Sequence, residues 1–180
     1  VRPPEDGGYG LDALWNDDFH HSAMVAVTGR AEAYYSDTRG EPQELISAAK
    51  YGYLFQGQQY HWQRKPRGSE AWGLSASAFI AFIQNHDQVA NAYQGQRLGQ
   101  VAGLARQKVA ALLLFSTPAL PLLFHGEEWA EAAPFDYFTS HGDPALAEAV
   151  RRGRHQEYLH LLEEGADMAA WADPQAEETF

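Results

Sequence analysis

The run Phe79-Ile80-Ala81-Phe82-Ile83 constrains this chain more than any other segment. It is apolar at every position rather than at alternate ones, so a strand built from it needs cover on both faces. It then breaks abruptly into Gln84-Asn85-His86-Asp87-Gln88. A buried strand that ends in consecutive polar side chains is what the mouth of a parallel barrel or open parallel sheet looks like. As core, each of these groups would need its own partner. A strand over 79–84 therefore delivers amides, an imidazole and a carboxylate to one rim. Such groups bond sugar hydroxyls or stabilise positive charge.

The rest of the chain repeats that alternation. Residues 9–15 predict a short strand. Asn16-Asp17-Asp18 offers helix caps, and Phe19, Met24 and Val27 carry a helix to about Gly29. Pro42 with Glu44 opens a second helix through Leu45, Ile46, Ala49 and Tyr53. Residues 56–75 read as a long loop whose Trp62, Arg64 and Lys65 either wall a cleft or are simply solvated. A polar loop is expected from Asn85 to Gly99, then a helix over 103–116. Past Pro118 and Pro121 comes a short buried strand, Leu122-Leu123-Phe124. Asp143-Pro144 makes an N-cap and first-turn pair for a last helix carrying Leu146, Val150, Tyr158 and Leu161, and the tail from Glu163 is acidic. Strand followed by helix three times predicts an α/β fold with a parallel sheet and right-handed crossovers. Three such units are too few to close an eight-stranded barrel, which takes about 250 residues.

Composition narrows the function. A net charge of −11 over 180 residues argues against nucleic acid and against an anionic membrane surface. No apolar run reaches the length of a membrane span. The absence of cysteine excludes disulfides, thiolate nucleophiles and cysteine-bound zinc, and it suits a reducing cytoplasm, the expected location. Aromatic residues make up 13% of the chain, with five Trp, which suits a site that stacks flat sugar faces. The opening, Val1 followed by Arg2-Pro3-Pro4-Glu5-Asp6-Gly7-Gly8, reads as a loop and so as a piece of something longer.

Three clusters carry candidate chemistry. His86-Asp87 either faces a substrate at the strand mouth or closes a turn; the flanking Gln84, Asn85 and Gln88 favour the substrate. Asp17-Asp18-Phe19-His20-His21 admits three readings. Adjacent histidines on a helix point about 100° apart and chelate one ion poorly. Helix capping by the Asp pair, with one His bonding the site floor, is the plain alternative. Direct substrate contact is the third. In Phe124-His125-Gly126-Glu127-Glu128-Trp129, Gly126 permits a close backbone approach, and Glu127 either shapes a substrate cleft or caps a strand end.

Asn85-His86-Asp87 after an apolar strand resembles a stretch of the alpha-amylase family of glycoside hydrolases. The wider string is similar to its trehalohydrolase branch. The matching pieces are Gly7-Gly8-Tyr9-Gly10-Leu11-Asp12-Ala13, Trp15, Asp17 to His21, Tyr34-Tyr35, Gln84 to Gln88, Gly126 to Trp129, Pro134-Phe135 with Tyr137-Phe138, and Gly153-Arg154. The resemblance implies a partial TIM (β/α)8 barrel, about its last three βα units with long loops, over residues 1–165. Residues 166–180 would be an acidic tail or linker toward a further C-terminal domain. It also implies retaining hydrolysis of the alpha-1,4 bond next to a terminal trehalose, on a maltooligosaccharide-type substrate. Neither cofactor nor metal is implied.

Asp87 matches the carboxylate that stabilises the transition state, and His86 matches a residue that bonds the sugar being cleaved. Asn85, Gln84, Gln88, Asp18, His20, His21 and Glu127 complete the candidate sugar-binding set. The family's nucleophile and general acid precede the Gly-Gly-Tyr-Gly motif, so the partner this chain needs is the N-terminal half of the barrel. Without it, the chain is expected to be inactive. Three stretches depart from the pattern: Ala90-Asn91-Ala92 replaces Gly-Asn-Arg, Gly95-Gln96-Arg97 replaces Gly-Glu-Arg, and His125 replaces Met. The first departure puts the shape of the loop beside the site in question. Competing readings are a branching or debranching enzyme of the same family, a metal-dependent phosphohydrolase using His20, His21, His86, Asp87 and His125, and a non-enzymatic carbohydrate-binding module.

Overall fold

A computed structural model describes residues 1–161 and 171–180. Its centre is a three-stranded parallel sheet made by β1 (Leu14–Trp15), β4 (Phe79–Phe82) and β5 (Leu120–Leu122), in the order β1-β4-β5. Leu14 pairs with Phe79, Ile80 with Leu120 and Phe82 with Leu122. A second, two-stranded antiparallel sheet joins β2 (Gln59–Tyr60) to β3 (Lys65–Pro66). The helices are α1 (Asp17–Thr28), α2 (Pro42–Tyr51), α3 (His86–Asn91), α4 (Leu98–Ala102), α5 (Leu104–Phe115) and α6 (Pro144–Leu161).

The mixed α/β architecture with a parallel sheet follows from the central run. Ala81 and Ile83 sit in a buried cluster with Phe19 of α1, Ala48 of α2, Leu98 of α4, and Ala110 and Leu114 of α5. Phe82 is buried too, with His20 stacked on its ring and Trp15 against its edge. Both faces of β4 are therefore covered, as a strand without alternation requires.

Several elements depart from expectation, each for a local reason. The first strand is two residues long rather than seven, because its backbone ladder runs only where β4 lies beside it. The third strand ends at Leu122, before Leu123-Phe124: the amide of Phe124 is taken by the Glu127 carboxylate at 3.1 Å, which turns the chain. Pro121 is tolerated within that strand because β5 pairs on one side alone among the described residues. The long loop contains the β2–β3 hairpin. The polar loop after β4 opens with α3, since Asn85 accepts from the Gln88 amide at 3.2 Å and so caps a helix.

α5 is buried through Gln107, Ala110 and Leu114, whereas Leu104, Val109, Leu112, Leu113 and Phe115 are exposed. Such an outward apolar face on a helix marks a surface for association. Part of the expected acidic tail, 162–170, lies outside the described residues. Residues 171–180 return to the body: Thr139 N donates to Pro174 O at 2.7 Å, Arg151 pairs with Asp173 at 2.8 Å, and the Phe138 and Phe180 rings meet. No described helix is long and apolar enough to cross a membrane.

Leu114 is fully buried between α5 and the sheet. Leu114→Ala should cost about 2–5 kcal/mol through lost transfer energy and a residual cavity. It should lower the thermal midpoint of the folded protein; an unchanged midpoint would remove Leu114 from the core.

Candidate active site

Parallel pairing brings three strand ends to one rim. Asn16, Asp17 and Asp18 follow β1, residues 83–88 follow β4, and residues 123–127 follow β5. Asn16 rather than the Asp pair caps α1: its Oδ1 accepts from Phe19 N at 3.1 Å while its Nδ2 donates to Gly52 O. Asp18 is buried, accepting from Phe55 N at 2.9 Å and lying 2.9 Å from Arg67 Nη2. Burial raises its carboxyl above the ordinary value against both of those contacts. Asp17 is raised as well, first by burial and then by repulsion from Asp18 and Asp87.

His20 lies beneath the rim. Its Nδ1 faces the carbonyl of Ile83, so that nitrogen carries the proton; Nε2 then accepts from the Tyr35 hydroxyl at 2.8 Å. Burial holds the ring neutral, with its pKa near 4. His21 is pushed lower, to about 3, by burial, by His20 and by Arg67. Its Nδ1 is buried without a hydrogen-bond partner among the described residues.

The string after β4 divides in two. Gln84 is buried, and its Oε1 accepts from Leu98 N at 2.6 Å. Asn85 is also buried, its Oδ1 occupied by the cap and its Nδ2 unpartnered among the described residues. His86 and Asp87 instead face outward, with side chains 57% and 59% exposed and Nε2 to Oδ1 at 3.3 Å. The Trp15 ring meets His86 edge-on. Gln88 reaches Asp17 Oδ1 at 3.4 Å, and its own Oε1 is buried without a partner among the described residues.

On the third strand end, Gly126 takes φ +84, and a Cβ there would lie 2.7 Å from Glu131 Cβ. That left-handed turn swings Glu127 inward. Burial raises the Glu127 carboxyl to about 7, opposed by the Phe124 amide and the Gln84 side chain. Arg97 fixes the same turn, donating to His125 O and Ala133 O, each at 2.8 Å.

No family model matches the chain. It is 40% identical to malto-oligosyltrehalose trehalohydrolase from Deinococcus radiodurans over 94% of its length, and 39% identical to that from Saccharolobus solfataricus over 87%. The Arthrobacter ramosus enzyme of the same name is 37% identical over the whole chain. The chain belongs to the malto-oligosyltrehalose trehalohydrolase family. It spans 28–31% of the length of these relatives. A crystal structure from Salmonella typhimurium, assigned as an alpha amylase, superposes with a TM-score of 0.84 at 40% identity, covering 99% of this chain and 30% of that one.

Within this segment, the residues of the sequence-derived set lie at the strand ends or beneath them, at two depths. His86 and Asp87 are exposed, and Gln88 is half-buried. Asp18, His20, His21, Gln84, Asn85 and Glu127 are buried. Arg67 was not singled out from sequence. The signal lay in the basic stretch Arg64-Lys65-Pro66-Arg67, since an Asp buried in a first helical turn needs a cation. Among the described residues no three His, Asp or Glu side chains converge as a metal-ligand set.

The buried acids and bases set opposing pH dependences. His20 and His21 have pKa values depressed below 6.5, so their share of stability is present above 6.5 and is lost as the pH falls toward 4. Glu127 is raised from 4.5 to about 7, so its share is present below 4.5 and is lost as the pH rises to about 7. Each group contributes about 1.4 kcal/mol per pH unit in its window. On acidification from 6.5 toward 4.5 the histidine share falls, opposed by Glu127 and by the raised Asp17 and Asp18 carboxyls. His21→Gln should remove part of that fall when the thermal midpoint of the complete enzyme is followed against pH. Parallel wild-type and variant limbs would refute the assignment.

Proposed function

We propose that this chain supplies one wall of the catalytic site of a retaining glycosidase. Its substrate is a maltooligosyltrehalose, cut at the alpha-1,4 bond next to the terminal trehalose, which is released. In this reading the three parallel strands are the sixth to eighth of a (β/α)8 barrel, within 1–165. The remaining barrel covers the outward face of α5, and 166–180 leads toward a further domain. The enzyme works in the cytoplasm, in trehalose biosynthesis.

One observation carries the reading. Flanking the exposed His86-Asp87 pair are two polar atoms buried without partners among the described residues, Asn85 Nδ2 and Gln88 Oε1, and His21 Nδ1 on α1 is a third. Native structures rarely leave such groups unpaired. A donor and an acceptor next to an exposed carboxylate suit a polyhydroxylated ring whose anomeric carbon becomes cationic. Asp87 meets that charge in the oxocarbenium-like transition state. His86 bonds hydroxyls of the same sugar, with Trp15 against its ring. Asp18, His20, Gln84 and Glu127, whose polar atoms largely serve the protein, hold the rim in shape.

Retaining hydrolysis also needs a nucleophile and an acid/base about 5 Å apart across the bond. In this proposal an Asp and a Glu on the fourth and fifth strands, outside these 180 residues, supply them. The isolated chain is then inactive.

In the complete enzyme, Asp87→Asn should lower kcat by about 10³-fold, because the charge opposing the cationic carbon is lost while shape is kept. His86→Ala should weaken both binding and turnover more modestly. Trehalose release from maltooligosyltrehalose, followed as kcat and KM, is the readout. A change in KM alone for Asp87→Asn would contradict its role, as would ordinary turnover by the isolated chain.

A further inference from the structure

We propose that Arg154 is a positioning residue for Asp87, acting through the side-chain amide of Asn91. The inference rests on the role given to Asp87 above. α3, which carries His86 and Asp87 in its first turn, is only six residues long. A helix of that length does not hold itself in place, so its aim depends on how its two ends are fastened. Asn85 fastens the first end through its cap bond to Gln88 N.

The second end is fastened from α6. Arg154 Nη1 donates to Asn91 Oδ1 at 2.6 Å, and Nη2 donates to Ala90 O at 3.3 Å. Ala90 O is among the last carbonyls of α3, where a cation is favoured by the helix dipole. The guanidinium is itself held: Glu157 Oε2 lies 2.9 Å from Nη1, the Tyr137 ring lies 4.3 Å beneath, and the side chain is 24% exposed.

The chemistry fixes the amide's orientation. Arginine offers donors alone, so Oδ1 of Asn91 must face it. That leaves Nδ2 to donate to the backbone carbonyl of Asp87, at 2.7 Å. Two hydrogen bonds in series therefore connect the α6 guanidinium to the backbone of Asp87. Lysine cannot reproduce the fork, which bonds a side-chain oxygen and a main-chain oxygen together. Ala90 and Asn91, at the end of α3 where this chain departs from the family pattern, are thus both held by Arg154.

The test uses the complete enzyme, with kcat, KM and thermal midpoint measured for Arg154→Met, Arg154→Lys, Asn91→Leu and the Arg154→Met/Asn91→Leu pair. A carboxylate displaced by a fraction of an ångström should lower kcat roughly 10- to 100-fold. KM should stay within about threefold, because few ground-state contacts change. Because both residues act along one path, the double variant should lose no more than the worse single one. In an Asp87→Asn background, Arg154→Met should lose nothing further.

Wild-type kcat in folded Arg154→Met, a loss confined to KM, additive losses, or a further loss in the Asp87→Asn background would each overturn the inference. If Arg154→Met does not fold, Arg154→Lys and Asn91→Leu decide by the same readouts. The two readings separate cleanly. Near-normal kcat in Asp87→Asn removes the role of Asp87, whereas a large loss there with normal kcat in the Arg154 and Asn91 variants removes this inference alone.

Discussion

Parallel pairing on both sides of β4 is the constraint on which everything else depends. Leu14 and Trp15 on one side, and Leu120 to Leu122 on the other, run in the same direction as the central strand. Their polar continuations therefore emerge together, although Asp18 and Glu127 are more than a hundred residues apart. Two buried amides secure the arrangement. Asn16 ties the start of α1 to the end of α2, and Gln84 ties β4 to the start of α4. Each uses a side chain to satisfy backbone groups that a short strand cannot pair by itself.

The rim is unusually acidic for so enclosed a place. Asp17 and Asp18 are raised by burial and Asp17 further by its carboxylate neighbours, while Arg67 is the cation set against them. On the proposed function, a neutral sugar would enter such a field without an electrostatic cost, and a ring carbon gaining positive charge would be favoured by it. The two neutral imidazoles add no charge that would oppose it, and His21 alone of the pair keeps a ring nitrogen unpartnered among the described residues.

How much of this was legible in the sequence depended on the scale of the signal. The Phe79–Ile83 run announces a doubly covered strand, and the polar string after it announces a rim, because both are contiguous. The depth of each rim residue was not legible. Gln84 and His86 are equally polar, yet one caps a buried amide and the other stands in the open, a difference decided by Leu98 fourteen residues on. The strand 122–124 was misplaced by two residues because Glu127 captures Phe124, a contact with no local pattern. The hairpin hidden in 56–75 and its Arg67 escaped for a different reason: their partners, Asp37 and Asp18, lie far off on earlier elements.

Asp37 accepts from the amides of His61 and Trp62 at 3.0 and 2.8 Å and from the His61 ring at 2.6 Å, and Tyr60 donates to the carbonyl of Tyr34. The β2–β3 hairpin and the turn at 33–38 are thereby stitched into one body. That body reaches the rim twice, through Tyr35 onto His20 and through Arg67 onto Asp18. Exchanging the hairpin between relatives in isolation would put every one of these stitches at risk. Loop variation is therefore grafted onto this scaffold with 33–38 and 59–67 changed together, while α2 between them, whose Ala48 belongs to the core, stays in place.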